Sequence, residues 1–115
     1  MKLTNLEAYN MVQMMTEMNE TGRLGYAIAK NMRKLSEEIT EYSQKRDELI
    51  MKYGEQDGDR YRIPPEKAAD FLSELSEYDG IEFEYAPHQV SEDDFCAGSL
   101  TSAQMYRLDW MVRSN

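Results

Sequence analysis

The fold is decided by a stretch of about 30 residues in the first half of the chain, Leu24–Tyr53, with the sequence LGYAIAKNMRKLSEEITEYSQKRDELIMKY. Eight residues in this stretch follow one another at alternating steps of four and three, and all but Arg46 are apolar or aromatic. They are Ile28, Met32, Leu35, Ile39, Tyr42, Arg46, Leu49 and Tyr53. A repeat of 3.5 residues over nearly four heptads is typical of a long helix that packs along its length. Opposite charges four residues apart, such as Lys34 and Glu38, would stabilise a helix along its outer face. The stretch therefore predicts one continuous helix, roughly 45 Å long.

Short capping motifs predict the other helices. Thr4-x-x-Glu7 has the pattern of a capping box and predicts that a first helix begins after Thr4. Gly22 predicts the break before the long helix, and Gly54 its end. Start motifs for three later helices lie at Pro64-Pro65, Ser91-x-x-Asp94 and Thr101-x-x-Gln104.

Two short stretches have the character of strands. Asp57-Gly58 predicts a turn, and Tyr61–Ile63 after it predicts a short strand. Residues 81–85 alternate between apolar side chains and glutamates, which is typical of a half-buried strand. Because the third helix lies between the two stretches, it can fold one back beside the other, so we expect them to pair.

Together these elements predict one domain over residues 1–115, of the α+β class and mostly α. A long antiparallel helical hairpin is expected over residues 4–54. An acidic α/β portion over residues 61–112 should pack on it, with two shorter helices and a minor two-stranded β element.

The length of the long helix predicts an oligomer. A compact domain of this size has a radius of gyration near 13 Å and is about 34 Å across, so a helix of roughly 45 Å would overshoot it. The first helix would cover only the part from Leu24 to about Glu38. A dimer or higher homo-oligomer is therefore expected, with an interface at Ile39, Tyr42, Leu49 and Tyr53.

The excess negative charge is concentrated in one segment. The chain has 22 acidic and 13 basic residues and a formal net charge of −9, and residues 68–106 contain no Lys or Arg. We expect this acidic tract to bind a protein partner with a basic surface. The residues predicted to do so are Glu82, Glu84, Glu92, Asp93 and Asp94. If the tract is only a solvated face, the interface should lie on the helices rich in methionine and tyrosine.

Composition also excludes several classes of protein. A net negative chain is a poor binder of nucleic acid, because phosphate contacts require Lys and Arg. No apolar run approaches the roughly 20 residues of a membrane span, so no membrane association is expected. The first residues lack the pattern of a signal peptide, which predicts a cytoplasmic protein. One cysteine excludes an internal disulfide.

Candidate catalytic and metal-ligating residues are few. His88 and Cys96 could in principle form a nucleophilic pair, but no third orienting group accompanies them in a known pattern. Asp57-Gly58-Asp59 begins like a calcium loop, yet the later positions of such a loop are filled by unsuitable residues. We therefore predict no enzyme activity, no metal site and no cofactor.

Three stretches resemble a group of small phage and prophage proteins that is known only as a domain of unknown function. They are KLTNLEAYN at the start, MKYGEQDGDRYRIPPEKAADFLSEL after the long helix, and LTSAQMYRLDWMV at the end. The resemblance spans most of the chain, although its motifs are structural rather than catalytic. It implies a phage or prophage origin and a bacterial cytoplasm as the setting.

Two functions fit these observations. The first is a phage-encoded inhibitor of a host defence system that acts through the acidic surface. The second is an oligomeric virion or tail-assembly accessory protein, which the long heptad helix favours. A third alternative is a protein that holds a small ligand between its subunits.

Overall fold

Six helices and four short strands make up the computed structural model, which describes residues 1–114. The helices are α1 (Asn5–Thr16), α2 (Gly22–Glu38), α3 (Thr40–Tyr53), α4 (Pro65–Asp79), α5 (Glu92–Cys96) and α6 (Ser102–Arg107), followed by a 3₁₀ turn at Asp109–Met111. The strands are β1 (Lys2–Thr4), β2 (Glu55–Asp57), β3 (Arg60–Arg62) and β4 (Glu82–Glu84). The α+β class with helix dominating is confirmed.

The capping motifs begin helices where the sequence predicts. The hydroxyl of Thr4 accepts from the backbone N–H of Glu7 at 3.1 Å, and the Glu7 carboxylate accepts from the Thr4 N–H at 3.0 Å. Thr101 and Gln104 form the same reciprocal pair at the start of α6, and α4 begins at Pro65. These contacts satisfy N–H groups that have no partner within the helix.

The predicted continuous helix over Leu24–Tyr53 is wrong, because it is divided at Ile39 into α2 and α3. Ile39 has φ −99° and ψ 21°, outside the helical range. The hydroxyl of Thr40 donates to the carbonyls of Ser36 and Glu37 at 3.1 and 2.9 Å. A threonine that bonds back to the preceding turn competes with the backbone ladder and bends a helix.

The predicted pairing of Tyr61–Ile63 with residues 81–85 is also wrong. Strand β4 instead pairs antiparallel with β1, with Leu3 opposite Phe83, and β2 pairs with β3 as a hairpin. The hairpin closes through Asp57-Gly58, where Gly58 has φ 65°. Because this turn joins β2 directly to β3, β3 pairs with its neighbour in the sequence instead of with β4.

Helix α1 lies along the junction between α2 and α3. Its C-terminal Thr16 contacts Met32 of α2, and its Tyr9 ring packs edge-on against Tyr42 of α3 at 6.1 Å. The expectation that the first helix covers only Leu24 to about Glu38 is therefore wrong. Residues 17–21 form an irregular connection rather than a tight turn, which lets α1 reach past Ile39.

Three of the four predicted interface residues are buried inside the single chain. Ile39, Tyr42 and Leu49 are 3%, 4% and 2% exposed, and Tyr53 is half-buried with its ring against Phe71. The molecule measures 50 × 30 × 22 Å with a radius of gyration of 16.6 Å, so it is longer than a compact domain of this length. The predicted interface at these residues is wrong, because three of them are buried within the chain and Tyr42 and Tyr53 pack against α1 and α4.

One buried polar side chain joins α2 to the segment after β4. Asn31 is fully buried; its Nδ2 donates to the His88 carbonyl at 2.9 Å. Its Oδ1 accepts from the Tyr85 hydroxyl at 2.7 Å and from the His88 N–H at 2.9 Å. Burial raises the pKa of Tyr85 to about 12, which keeps the phenol protonated as a donor.

The burial of Ile39 and Leu49 generates the first prediction. Replacing either with Asp places an unpaired carboxylate in the core, so the chain should unfold rather than dissociate into folded monomers. Ala29→Asp is the matched control, because Ala29 is exposed on α2 and should tolerate the change. Circular dichroism and light scattering measure both properties. A folded monomeric Ile39→Asp variant of an oligomeric wild type would contradict the prediction.

The Asn31 network generates the second prediction. Asn31→Ala removes the partner of the His88 N–H and of the His88 carbonyl, and it leaves the Tyr85 hydroxyl only the backbone carbonyl of residue 31 at 3.4 Å. The free energy of unfolding should therefore fall by roughly 2–4 kcal/mol. Urea unfolding followed by the fluorescence of Trp110, whose ring packs on Tyr85 at 6.2 Å, measures the loss. Asn10→Ala serves as the control because Asn10 is exposed. A loss below about 1 kcal/mol for Asn31→Ala would refute this role.

Candidate functional site: an acidic groove beside strand β4

A groove of about 500 Å³ lies where the α2–α3 junction, the end of α4 and strand β4 meet. Three exposed carboxylates line it, from Glu38, Glu41 and Glu82. Its apolar lining comes from Tyr42 of α3, Tyr78 of α4, Ile81 just before β4, and Phe83 of β4. We call this feature the acidic groove.

The beginning of α1 holds the two sides of the acidic groove together. The side-chain amide of Asn5 donates to the Tyr78 carbonyl at 3.0 Å, and the Asn5 backbone N–H donates to the Ile81 carbonyl at 3.0 Å. One residue therefore fixes the end of α4 and the start of β4. The relative placement of Tyr78 and Ile81 is set by backbone contacts rather than by their own side chains.

A hydrogen-bonded group behind the lining holds Tyr42 in place. The Tyr42 hydroxyl donates to Asp79 at 2.5 Å and accepts from Arg46 at 3.4 Å. The Arg46 guanidinium lies 4.4 Å from the centre of the Tyr9 ring, within range of a cation–π contact. Burial and the hydrogen bond to Asp79 raise the pKa of Tyr42, so its proton is held at neutral pH.

The charges on the lining of the acidic groove do not balance. Its one ammonium group belongs to Lys45, which lies 5.3 Å from the centre of the Tyr78 ring and 3.7 Å from Glu48. Three carboxylates and one ammonium leave a net negative groove with aromatic side chains inside. This combination suits a cation that carries an apolar stem.

The five predicted partner-binding residues do not form one acidic face. Glu82 lines the acidic groove, while Glu84 stands opposite Lys2 in the strand register. Asp94 lies 3.7 Å from Arg23 of α2. Glu92 and Asp93 are exposed on α5 and share a small cleft with Arg113. Folding therefore brings basic side chains from other parts of the chain to the tract that lacks them.

The same neutralisation occurs on α4. Glu74 accepts from the Lys52 ammonium at 2.8 Å and from the Tyr53 hydroxyl at 2.6 Å. These hydrogen bonds lower the pKa of Glu74. Glu74 is thus tied to α3, and the field of the tract is weaker than its sequence suggests.

Two carboxylates of the acidic groove were missed by sequence reasoning. Glu38 and Glu41 lie outside the tract, and the heptad pattern places Glu38 in an ion pair with Lys34. In the structure both flank the break at Ile39 and line the groove beside Glu82. A threonine directly after an apolar heptad position was the one local signal of that break.

His88 and Cys96 have structural surroundings that differ from each other. The backbone of His88 is bound by Asn31, and its ring packs edge-on against Tyr26 at 5.5 Å. Cys96 is exposed at the end of α5.

Among residues 1–114, no three side chains of His, Cys, Asp or Glu converge as metal ligands would. Asp57-Gly58-Asp59 forms the turn of the β2–β3 hairpin.

Comparison with protein-family models, with curated proteins and with solved structures found no match. Over the described residues, none of the helices combines the length and the apolar character that crossing a bilayer requires.

The Tyr42–Asp79 contact generates a prediction about alkaline stability. Because the folded state raises the pKa of Tyr42 above its unfolded value near 10, the stabilisation is complete below pH 10 and is lost as the pH rises through the folded value. The free energy of unfolding should fall more steeply above pH 10 in the wild type than in Tyr42→Phe. Urea titrations at pH 8, 10 and 11 measure this. Identical pH profiles would exclude the effect.

Proposed function

We propose that this chain is a non-enzymatic binding protein that captures a basic segment of a protein partner in the acidic groove. The observation that carries the proposal is the lining of the groove, in which Glu38, Glu41 and Glu82 surround aromatic side chains and face one ammonium. Lysine and arginine have an aliphatic stem and a charged tip, so they match both parts of this lining. Carboxylates around the groove also speed the encounter with a basic surface.

The biological role that fits best is inhibition of a host defence system by a phage-encoded protein in the bacterial cytoplasm. The resemblance to phage and prophage proteins supports the origin, and the net charge of −9 supports a partner with a basic functional surface. An inhibitor needs only to occupy such a surface, which is why no catalytic group of its own is required. Many host enzymes that act on nucleic acid have a surface of that kind.

A virion or tail-assembly role is the second candidate, and the elongated shape favours it. Both strands of the β2–β3 hairpin are exposed, and large apolar side chains lie exposed on α3, β3 and α4: Met51, Tyr61 and Leu72. Exposed apolar side chains are typical of surfaces that pack against other subunits. A homo-oligomer would use such residues, since Ile39, Tyr42 and Leu49 are buried.

A charge-neutralised variant tests the proposed groove. The triple substitution of Glu38, Glu41 and Glu82 to Gln should weaken binding of an arginine-rich peptide roughly tenfold at low salt, mainly through slower association. Glu92→Gln with Asp93→Asn, which removes two charges, is the control, because those exposed carboxylates on α5 lie outside the acidic groove. Surface plasmon resonance at two salt concentrations measures the rates.

The control variant has a second use, because it tests the surface that the sequence favours. If the α5 variant loses binding and the groove triple variant does not, the working surface is α5 and the groove proposal is wrong. Affinity capture from phage-infected lysate by the wild type, repeated with the triple variant, then separates the two roles. A defence enzyme lost with the triple variant supports inhibition, and virion proteins support assembly.

A further inference from the structure

Strand β4 has one paired edge and one free edge. The sheet that contains it has two strands, β1 and β4. The Asn5 N–H donates to the Ile81 carbonyl at 3.0 Å, and the Tyr85 N–H donates to the Met1 carbonyl at 2.7 Å. In an antiparallel pair, hydrogen-bonded residues alternate, so Ile81, Phe83 and Tyr85 direct their backbone groups toward β1. The backbone groups of Glu82 and Glu84 therefore point to the free edge.

The free edge is a place where another strand can add. Within residues 1–114, the N–H and C=O groups of Glu82 and Glu84 make no hydrogen bond to the protein, and both residues are exposed. Unpaired groups on an edge strand are a template for an extended segment of another chain. Glu82, whose backbone groups point to the free edge, also lines the acidic groove, so the candidate edge and the proposed binding site share this residue.

We propose that an extended basic segment of the partner adds to β4 as a third strand. This proposal rests on the proposed function and specifies how the basic segment binds. Side chains alternate along a strand, so Glu82 and Glu84 share one face and Phe83 lies on the other. Neighbours across two strands interact directly, and the matching segment therefore alternates Lys or Arg with an apolar residue. Its backbone bonds to Glu82 and Glu84, and its cations face the carboxylates.

The same pattern disfavours a second copy of this chain as the added strand. An antiparallel β4–β4 pair centred on Phe83 places Glu82 opposite Glu84 of the other copy, and a parallel pair also brings glutamates together. Like charges directly opposite each other destabilise a strand pair. The edge thus repels itself and attracts a basic strand, which is how edge strands avoid self-association while keeping one partner.

Proline at position 82 separates the backbone contribution from the charge. Glu82→Pro removes the N–H that points to the free edge and none of the hydrogen bonds to β1, a position where an edge strand tolerates proline. Glu82→Gln is the matched variant, which removes the charge and keeps the N–H. Fluorescence polarisation with a labelled peptide that alternates Arg and Val should show roughly tenfold weaker binding to Glu82→Pro than to Glu82→Gln.

A modified peptide gives the same test on the unaltered protein. Methylation of the peptide amides that face β4 removes the hydrogen bonds that the peptide donates to the carbonyls of Glu82 and Glu84. It should weaken binding to the wild type roughly tenfold, and it should weaken binding to Glu82→Pro further, because the proline removes only the bond that the Glu82 N–H donates. If Glu82→Gln weakens binding but amide methylation has no effect, strand addition is overturned and the groove proposal stands. If the wild type binds no arginine-containing peptide at low salt, both proposals are overturned.

Discussion

The arrangement of the molecule depends on the side-chain amide of Asn31. This residue lies on the buried face of α2, where a polar group is costly unless every donor and acceptor finds a partner. Its three hydrogen bonds to Tyr85 and His88 attach the segment after β4 to the helix. They fix where β4 ends, and therefore which residues of β4 stand beside the acidic groove. An apolar residue in this position could pack, but it could not specify that register.

Local signals predicted the local parts of the fold. The capping boxes at Thr4 and Thr101 and the proline start at Pro65 involve residues within three positions of each other, so the sequence alone contains all their partners. The β1–β4 pair was not predictable in this way, because Leu3 and Phe83 are brought together only by the packing between them. The break at Ile39 was hidden since a heptad pattern continues through it.

The candidate site, too, could be predicted from the sequence only in part. The sequence identified Glu82 through a tract without basic residues, but it could not show which basic side chains fold against that tract. Arg23, Lys52 and Arg113 come from distant segments and contact or approach its acids. Glu38 and Glu41 become part of the acidic groove only because α2 ends beside β4. Charge in a sequence is one-dimensional, whereas the field that a partner meets depends on the folded neighbours of each group.

The pairing of β1 with β4 has a consequence for how the chain folds. Lys2–Thr4 precedes its partner Glu82–Glu84 by about 80 residues, and six other elements lie between the two strands. Closing so long a loop costs entropy that local contacts cannot offset early, so this sheet should form late and limit the folding rate. The partners in the α3–α4 contacts and in the β2–β3 hairpin lie close together in the sequence, so these contacts can form earlier. The hairpin and the α3–α4 pair should thus form before the β1–β4 sheet, and the groove beside β4 is completed last.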